Sequence, residues 1–346
     1  MYTDLNRLLK LYEGCTVYHG EMHDHSNSGG TSDGKRTLSY WREAMERLEI
    51  DFAAILDHRQ VRHMYEPEWE DGLFVAGTEP GTCITDSRVA VRDMHYLILV
   101  PHRDIVAQIL DKFPEYEFSG GTEGHFVYPT FTRERFGELI DTIKSHGGFF
   151  VHPHPKLIMK SEDPCEYWFR DETGIEVFYR HMESEYTEET YQLWVELLKT
   201  GKRVWACAAC DEHCEPSVGA LTTIYGEEKS SASYLSHLRR GDFTCGPVGI
   251  RMCIGETPTG GICSFGNQEL IVAIGDFHPS VQNTEHQYRV DIFADENIVY
   301  KLPIDCNKMN VVKLPVENVK YYRAEVIDET RGLRIAIGNP IWNSQK

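Results

Sequence analysis

Along the first two-thirds of the chain, apolar positions recur in two alternating rhythms. One is helical: Trp41, Ala44, Met45 and Leu48 fall at i, i+3, i+4 and i+7, behind Thr37 and Ser39 as candidate N-caps. Phe136, Leu139, Ile140 and Ile143 repeat the pattern behind Thr132 and stop at Gly147-Gly148. Tyr191, Trp194, Val195 and Leu198 give it a third time, with Thr187-Glu-Glu expected to open the helix and Gly201 to close it. The other rhythm is short apolar runs of strand character. They lie near Thr16 to Tyr18, Phe52 to Leu56, Leu73 to Ala76, Tyr96 to Val100, Phe149 to Val151, Ile175 to Phe178 and Val204 to Ala208. Strands alternating with helices predict a mostly parallel sheet, closed or open. After Gly246-Pro247 the helical period disappears. Glu269 to Ile274, Tyr288 to Phe293 and Tyr321 to Ile327 alternate between turn residues, as a small antiparallel β-sandwich does. The pattern predicts an α/β domain over residues 1–245 and an all-β domain over 246–346.

Composition narrows the function. Acidic residues outnumber basic ones, 54 to 35, for a formal charge of −19 over 346 residues. So acidic a chain repels polyanions, and neither nucleic acid nor an anionic membrane is expected as a partner. No apolar stretch reaches the roughly 18 residues of a membrane span. The first twenty residues carry Asp4, Arg7, Lys10 and Glu13 rather than the apolar block of a signal peptide, so a cytoplasmic location is expected. Cys207 and Cys210, set among alanines, read as reduced core residues.

The chemistry is carried by where histidines and carboxylates fall. Nearly every strand-like run ends in, or borders, a potential metal ligand: His23-Asp-His25, Asp57-His58, Glu79, His95, His152-Pro-His154, Glu176, and Asp211-Glu-His213. Parallel strands wrapped by helices present their C-terminal ends on one face, so ligands distant in sequence converge there. In extended chain, residues i and i+2 point the same way, which pairs His23 with His25 and Asp211 with His213. Imidazoles with a few carboxylates suit zinc, manganese or iron, and a carboxylate such as Glu79 can bridge two metals. A single His-x-His is weak evidence, and a lone histidine is commonly a hydrogen-bonded core residue; the repetition at successive strand ends is what points to a multinuclear site.

These residues resemble the polymerase and histidinol phosphatase (PHP) superfamily. Its opening His-x-His followed by Ser-Asp-Gly is matched by His23-Asp-His25 and Ser32-Asp33-Gly34, at a longer spacing than the family's usual one, with Gly29 and Gly30 between. Asp57-His58, Gly77-Thr-Glu79, His95, His152-Pro153 and Asp211-Glu-His213 match the later motifs in order, over roughly residues 14 to 245. Gly246-Pro247 and Asn339-Pro-Ile-Trp342 resemble the β domain of the carbaryl-hydrolase-like branch. The resemblance implies a distorted (β/α)7 barrel with two or three divalent transition metals (zinc, manganese or iron), followed by the small β-sandwich. Carried over, His23, His25, Glu79 and Asp211 would bind the first metal; Glu79, His95 and His152 the second; Asp33, His58 and His213 the third.

The function implied is a metal-dependent phosphoesterase acting on a small phosphate ester. Arg59 is a candidate phosphate clamp, because a guanidinium pairs bidentately with phosphate, and His154 a candidate proton donor to the leaving group. A carboxylic ester or carbamate hydrolase would use the same ligands, and a metal-stabilised binding module would use them without catalysis. Aromatic residues between Phe113 and Phe131 could stack bases, but Glu115, Glu117 and Glu123 replace the basic run that a single-strand binder needs. That excursion is therefore expected to enclose a small ester.

Overall fold

The computed structural model describes residues 2–28, 32–86, 91–120, 124–155 and 169–346. All seven predicted runs form strands: Thr16–Asp24, Phe52–Ile55, Phe74–Val75, Leu97–Leu99, Phe149–His152, Thr173–Tyr179 and Val204–Ala209. Each contributes to one apolar core, through Met22, Ala54, Val75, Leu97, Val151, Ile175 and Ala206 among others. Burying such side chains contributes about 1.5–3 kcal/mol for each large one, and this shared core holds the strands side by side.

The strands are not joined into one closed ladder. Thr16–Asp24, Phe52–Ile55 and Phe74–Val75 pair in parallel within a large sheet. Val204–Ala209, Thr173–Tyr179, Phe149–His152, Leu97–Leu99 and Gly77–Thr78 form a second sheet in that order. Between the two sheets the backbone ladder reduces to isolated bridges, Asp24 with Glu212 and His58 with Glu79. Nor is the arrangement wholly parallel. Leu97–Leu99 runs antiparallel to Phe149–His152, because a hairpin of Gly81–Ile84 and Val91–His95, not a crossover helix, precedes it. Continuous ladder closure, as the barrel reading would have it, is thus absent among the described residues.

The three helical periods become helices Leu38–Leu48, Arg133–Ser145 and Glu185–Lys199. Thr37 and Thr132 accept the capping bonds expected of them, at 3.2 Å each. The third helix begins earlier than expected. Ser184 caps it by accepting from Tyr186 N, while Thr187 is buried within the first turn and donates to the His181 carbonyl.

In the C-terminal third, Thr257–Pro258, Val248–Ile254, Glu269–Phe277 and Asn310–Pro315 form an antiparallel sheet. It faces a second layer that includes Tyr288–Ala294, Tyr321–Asp328 and Leu333–Gly338 across a separate apolar core. That second layer continues through Phe243–Cys245 into Thr222–Gly226 and Thr16–Asp24. Hydrogen bonding therefore crosses position 246 without a break. Among the described residues no helix is long and apolar enough to cross a membrane.

Candidate metal centre

Local sequence explains how the first ligands are held. Thr16–Asp24 delivers His23, and the chain then leaves the strand with His25; both are wholly buried. Asp57, just past the second strand, accepts from Ser26 N at 2.6 Å, Ser26 Oγ at 2.7 Å and Gln60 Nε2 at 3.0 Å. It thereby ties the turn after His25 to the turn that carries His58. Glu21, buried one step behind the centre, accepts from Cys210 N at 2.6 Å and links the first strand to the end of the seventh. Burial pushes its carboxyl up to about 8, against the N–H bonds it accepts from Cys210 and Met22.

Four ligand atoms converge on one point. His23 Nε2 lies 3.0 Å from Glu79 Oε2 and 3.5 Å from Asp211 Oδ1. His25 Nε2 is 3.2 Å from each of those same oxygens and 3.2 Å from His23 Nε2. Ligands about 2.1 Å from a common ion would be separated by about 3.0 Å at right angles and about 3.4 Å at tetrahedral angles. The observed spacings match the edges of one coordination shell.

Two further groups share members with the first. His58, Glu79 and His95 make one; His25, Asp33, His58 and His213 make the other. Glu79 is the hub: His95 Nδ1 is 2.9 Å from Oε1, and His58 Nδ1 is 3.3 Å from Oε2. Asp33 Oδ1 lies 3.1 Å from His213 Nε2 and 3.7 Å from His58 Nε2, although Asp33 itself is half exposed. Gly34 explains how the chain brings it there. A Cβ on Gly34 would stand 2.4 Å from the Ser26 carbonyl oxygen, so only glycine lets this loop lie against the His25–Ser26 backbone. Gly29 and Gly30, within the lengthened spacing, lie outside the described residues.

His152 stands apart. Its ring packs against Phe150 and Phe169, with burial holding its pKa down at about 3, and it belongs to none of the three groups. The imidazole that reaches the hub from this segment is His154, whose Nε2 is 3.4 Å from Glu79 Oε1. The backbone is the reason: His154 has φ 31°, so the extended geometry that would point residues 152 and 154 the same way is broken. Arg59, Arg180 and Asp211 also have positive φ, and with His154 they make four of the nine such non-glycine residues among the described residues, all in or next to this centre.

Supporting residues complete the arrangement. His23 Nδ1 donates to Glu176 Oε1 at 2.7 Å, and the His154 backbone N–H donates to Glu176 Oε2 at 2.7 Å. Tyr179 donates from its hydroxyl to Asp211 Oδ2 at 2.9 Å. Glu176 was legible as a strand carboxylate, but its role behind His23 was not; Tyr179 carried no sequence signal. Arg59 lies over the Tyr128 ring, 4.9 Å from its centroid, and that ring in turn meets His95. Phe113, Tyr116, Phe126 and Phe131 do not enclose the centre. They are buried in their own apolar core, leaving Tyr128 to reach the metal residues from this excursion; Glu123 lies outside the described residues.

The electrostatics are those of a site built around positive charge. Burial is the largest influence on His23 and pushes its pKa down, yet Glu79, Asp211 and Glu176 together carry it well above the ordinary value. His25 rises to about 9 against burial, through its bonds to Asp211 and Glu79. Glu79, which burial alone would keep protonated, is held well below the carboxylate range by His23 and His58 and by hydrogen bonds from His154 and His23. Without another cation, protons on the imidazoles balance the carboxylates. A divalent metal would displace those protons, and the nitrogen–oxygen donor set suits zinc, manganese or iron.

No protein-family model and no curated protein matches the chain. Solved structures with similarity include endonuclease Q bound to a 27-mer duplex with an abasic lesion, at 11% identity and TM-score 0.45 over 65% of this chain and 57% of that one. A Bifidobacterium adolescentis protein, provisionally described as a metal-dependent phosphoesterase, matches at 15% identity and TM-score 0.34, over 57% of this chain and 88% of that one. An amidohydrolase from Chromobacterium violaceum, with bound sulfate and no metal, matches at 14% identity and TM-score 0.33, over 56% and 87%.

Proposed function

We propose that this chain is a metal-dependent hydrolase cleaving a small phosphate ester. The observation that supports the reading most directly is the convergence of His23 Nε2, His25 Nε2, Glu79 Oε2 and Asp211 Oδ1 at the spacings of a coordination shell. In this reading those four hold the first metal. Glu79 would also serve a second position, held with His95 and His154, with His154 taking the place assigned to His152 by resemblance and giving up the proton-donor role. Asp33, His58 and His213 hold a third. Bound there, divalent metals supply an acidified water and polarise the ester oxygen.

The protein's own groups do the rest. Glu176 fixes His23 with its Nδ1 protonated, which leaves Nε2 free to face the centre. Tyr179 holds the Asp211 carboxylate by its second oxygen and keeps the first directed at His25. Arg59, braced over Tyr128 beside His95, is the group that pairs with the non-bridging phosphate oxygens, for which a guanidinium fork is suited. The test is an activity screen of metal-loaded protein across phosphate monoesters, phosphodiesters and aryl carboxylic esters. Turnover of a phosphate ester that falls in Arg59→Met, with metal content unchanged, is the expected result. Turnover confined to carboxylic esters would move the reading to an acyl hydrolase.

A further inference from the structure

At the opposite end of the strands that carry the metal residues lies a second, differently charged cavity of ≈ 560 Å³. Gly148, Glu172 and Arg203 line it, each immediately before or at the start of the Phe149–His152, Thr173–Tyr179 and Val204–Ala209 strands. Trp205, buried, forms part of the wall, and the 258–262 turn of the β region closes another side. From Trp205 to Asp211 is six residues of chain, or about 20 Å if extended, so this cavity is distinct from the metal centre.

Its charge runs against that of the whole molecule. In a chain of net charge −19, four cations, Lys144, Arg203, Arg239 and Arg240, line this cavity against one carboxylate, Glu172. That carboxylate is already shared, 3.4 Å from Lys144 Nζ and 3.0 Å from Arg203 Nη1. Arg239 and Arg240 form no ion pair among the described residues, and Arg240 instead meets His237 Nδ1 at 3.5 Å. Four cations lining one cavity with a single lining carboxylate repel one another and are stabilised by a bound anion. The arginine pair is also built in. A Cβ on Gly260, which has φ +79°, would stand 1.9 Å from the Arg240 carbonyl oxygen, so the turn seats directly on the arginine backbone. The Trp205 indole donates to the Arg239 carbonyl at 3.4 Å on the other side.

We propose that this junction cavity is a binding site for a small molecule bearing a phosphate or diphosphate group. The guanidinium groups and the Lys144 ammonium that line the cavity offer more N–H donors than the Glu172 carboxylate can accept, whereas phosphate oxygens take several. The volume is that of a small-molecule pocket. A ligand here contacts the strand starts of the α/β region and the 258–262 turn together, and so ties the two regions of the chain to each other.

The test is calorimetric titration of the full chain with inorganic phosphate at constant ionic strength, on wild type, Glu79→Gln and Arg239→Gln/Arg240→Gln. Both arginines are exposed, so the double variant should fold, with unchanged melting temperature and metal content. The expected result is phosphate binding that survives Glu79→Gln and weakens at least tenfold in the double arginine variant. Binding that disappears in Glu79→Gln and is untouched in the double variant would place all the phosphate at the metal centre and overturn the proposal. So would no binding in any of the three, or binding of single-stranded DNA that needs both arginines and that phosphate does not displace.

Discussion

Replacing Glu176 by Gln preserves volume and buried shape, and it changes one thing: the side chain can no longer accept two hydrogen bonds through two oxygens. Glu176 receives His23 Nδ1–H on Oε1 and the His154 backbone N–H on Oε2, each at 2.7 Å, in a wholly buried position. The backbone N–H cannot change its polarity, so the amide oxygen of the substituted side chain must turn toward it. The amide NH2 then faces His23 Nδ1, which can accept only if the ring proton moves to Nε2. Nε2 is the atom 3.0 Å from Glu79 and 3.5 Å from Asp211, and protonated it cannot bind a metal. Restoring the right tautomer costs a lost charge-assisted bond of about 1.5–3 kcal/mol. That corresponds to roughly 10–100-fold in metal affinity, as found when such supporting carboxylates are removed elsewhere. The assay is metal content after dialysis against a graded series of chelator concentrations, read by elemental analysis beside wild type. A Glu176→Gln chain that retains its full metal complement at the same chelator concentration as wild type would refute the tautomer argument.

Three other outcomes are expected. Asp211→Asn, which removes a charge from the shell of His23 and His25 while keeping its size, should lower hydrolysis at least about a hundredfold, measured as kcat at matched metal loading. Gly34→Ala drives a Cβ to 2.4 Å from the Ser26 carbonyl oxygen and should displace Asp33; elemental analysis should show loss at the third position with the first retained. His19, held down to about 3 by burial and then by His278, is neutral in the fold, so its contribution to stability is complete above the ordinary value of 6.5 and declines as pH falls through 6.5 toward 3. One pH unit below 6.5 should cost about 1.4 kcal/mol, and denaturant midpoints for His19→Asn should show a correspondingly flatter decline between pH 7 and 5.5.

Much of this arrangement was readable in the sequence because apolar period and strand-end chemistry coincide. Ala54, Val75, Leu97, Val151, Ile175 and Ala206 all sit in runs whose pattern marks them as strands, and all face the same core; Met22, beyond the Thr16 to Tyr18 run, joins them because the first strand continues to Asp24. What the pattern could not supply is direction and backbone shape. The Leu97–Leu99 run looks the same whichever way it enters a sheet; the hairpin before it sets it antiparallel to its neighbour. The resemblance that gave His152 to the second metal carries no backbone shape, and the positive φ at His154 is what brings that residue to Glu79 instead. Asp211, with φ 56°, likewise turns its carboxylate to His25 while His213 Nε2 faces Asp33. Positive φ at an ordinary residue leaves no mark in composition or period. Glu176 was visible as a carboxylate on a strand, but whether it meets a metal or a histidine depends on a 2.7 Å contact across 153 residues of chain.

The most direct test of the metal centre is elemental analysis of gently purified wild type and Glu79→Gln, followed by a phosphate monoester assay on both. Glu79 has five imidazoles within 3.4 Å, of His23, His25, His58, His95 and His154. The account predicts more than one transition metal per wild-type chain, a loss at two positions in Glu79→Gln, and hydrolysis that falls with them. A wild-type chain with no metal, or with a single ion that Glu79→Gln leaves in place, would contradict it.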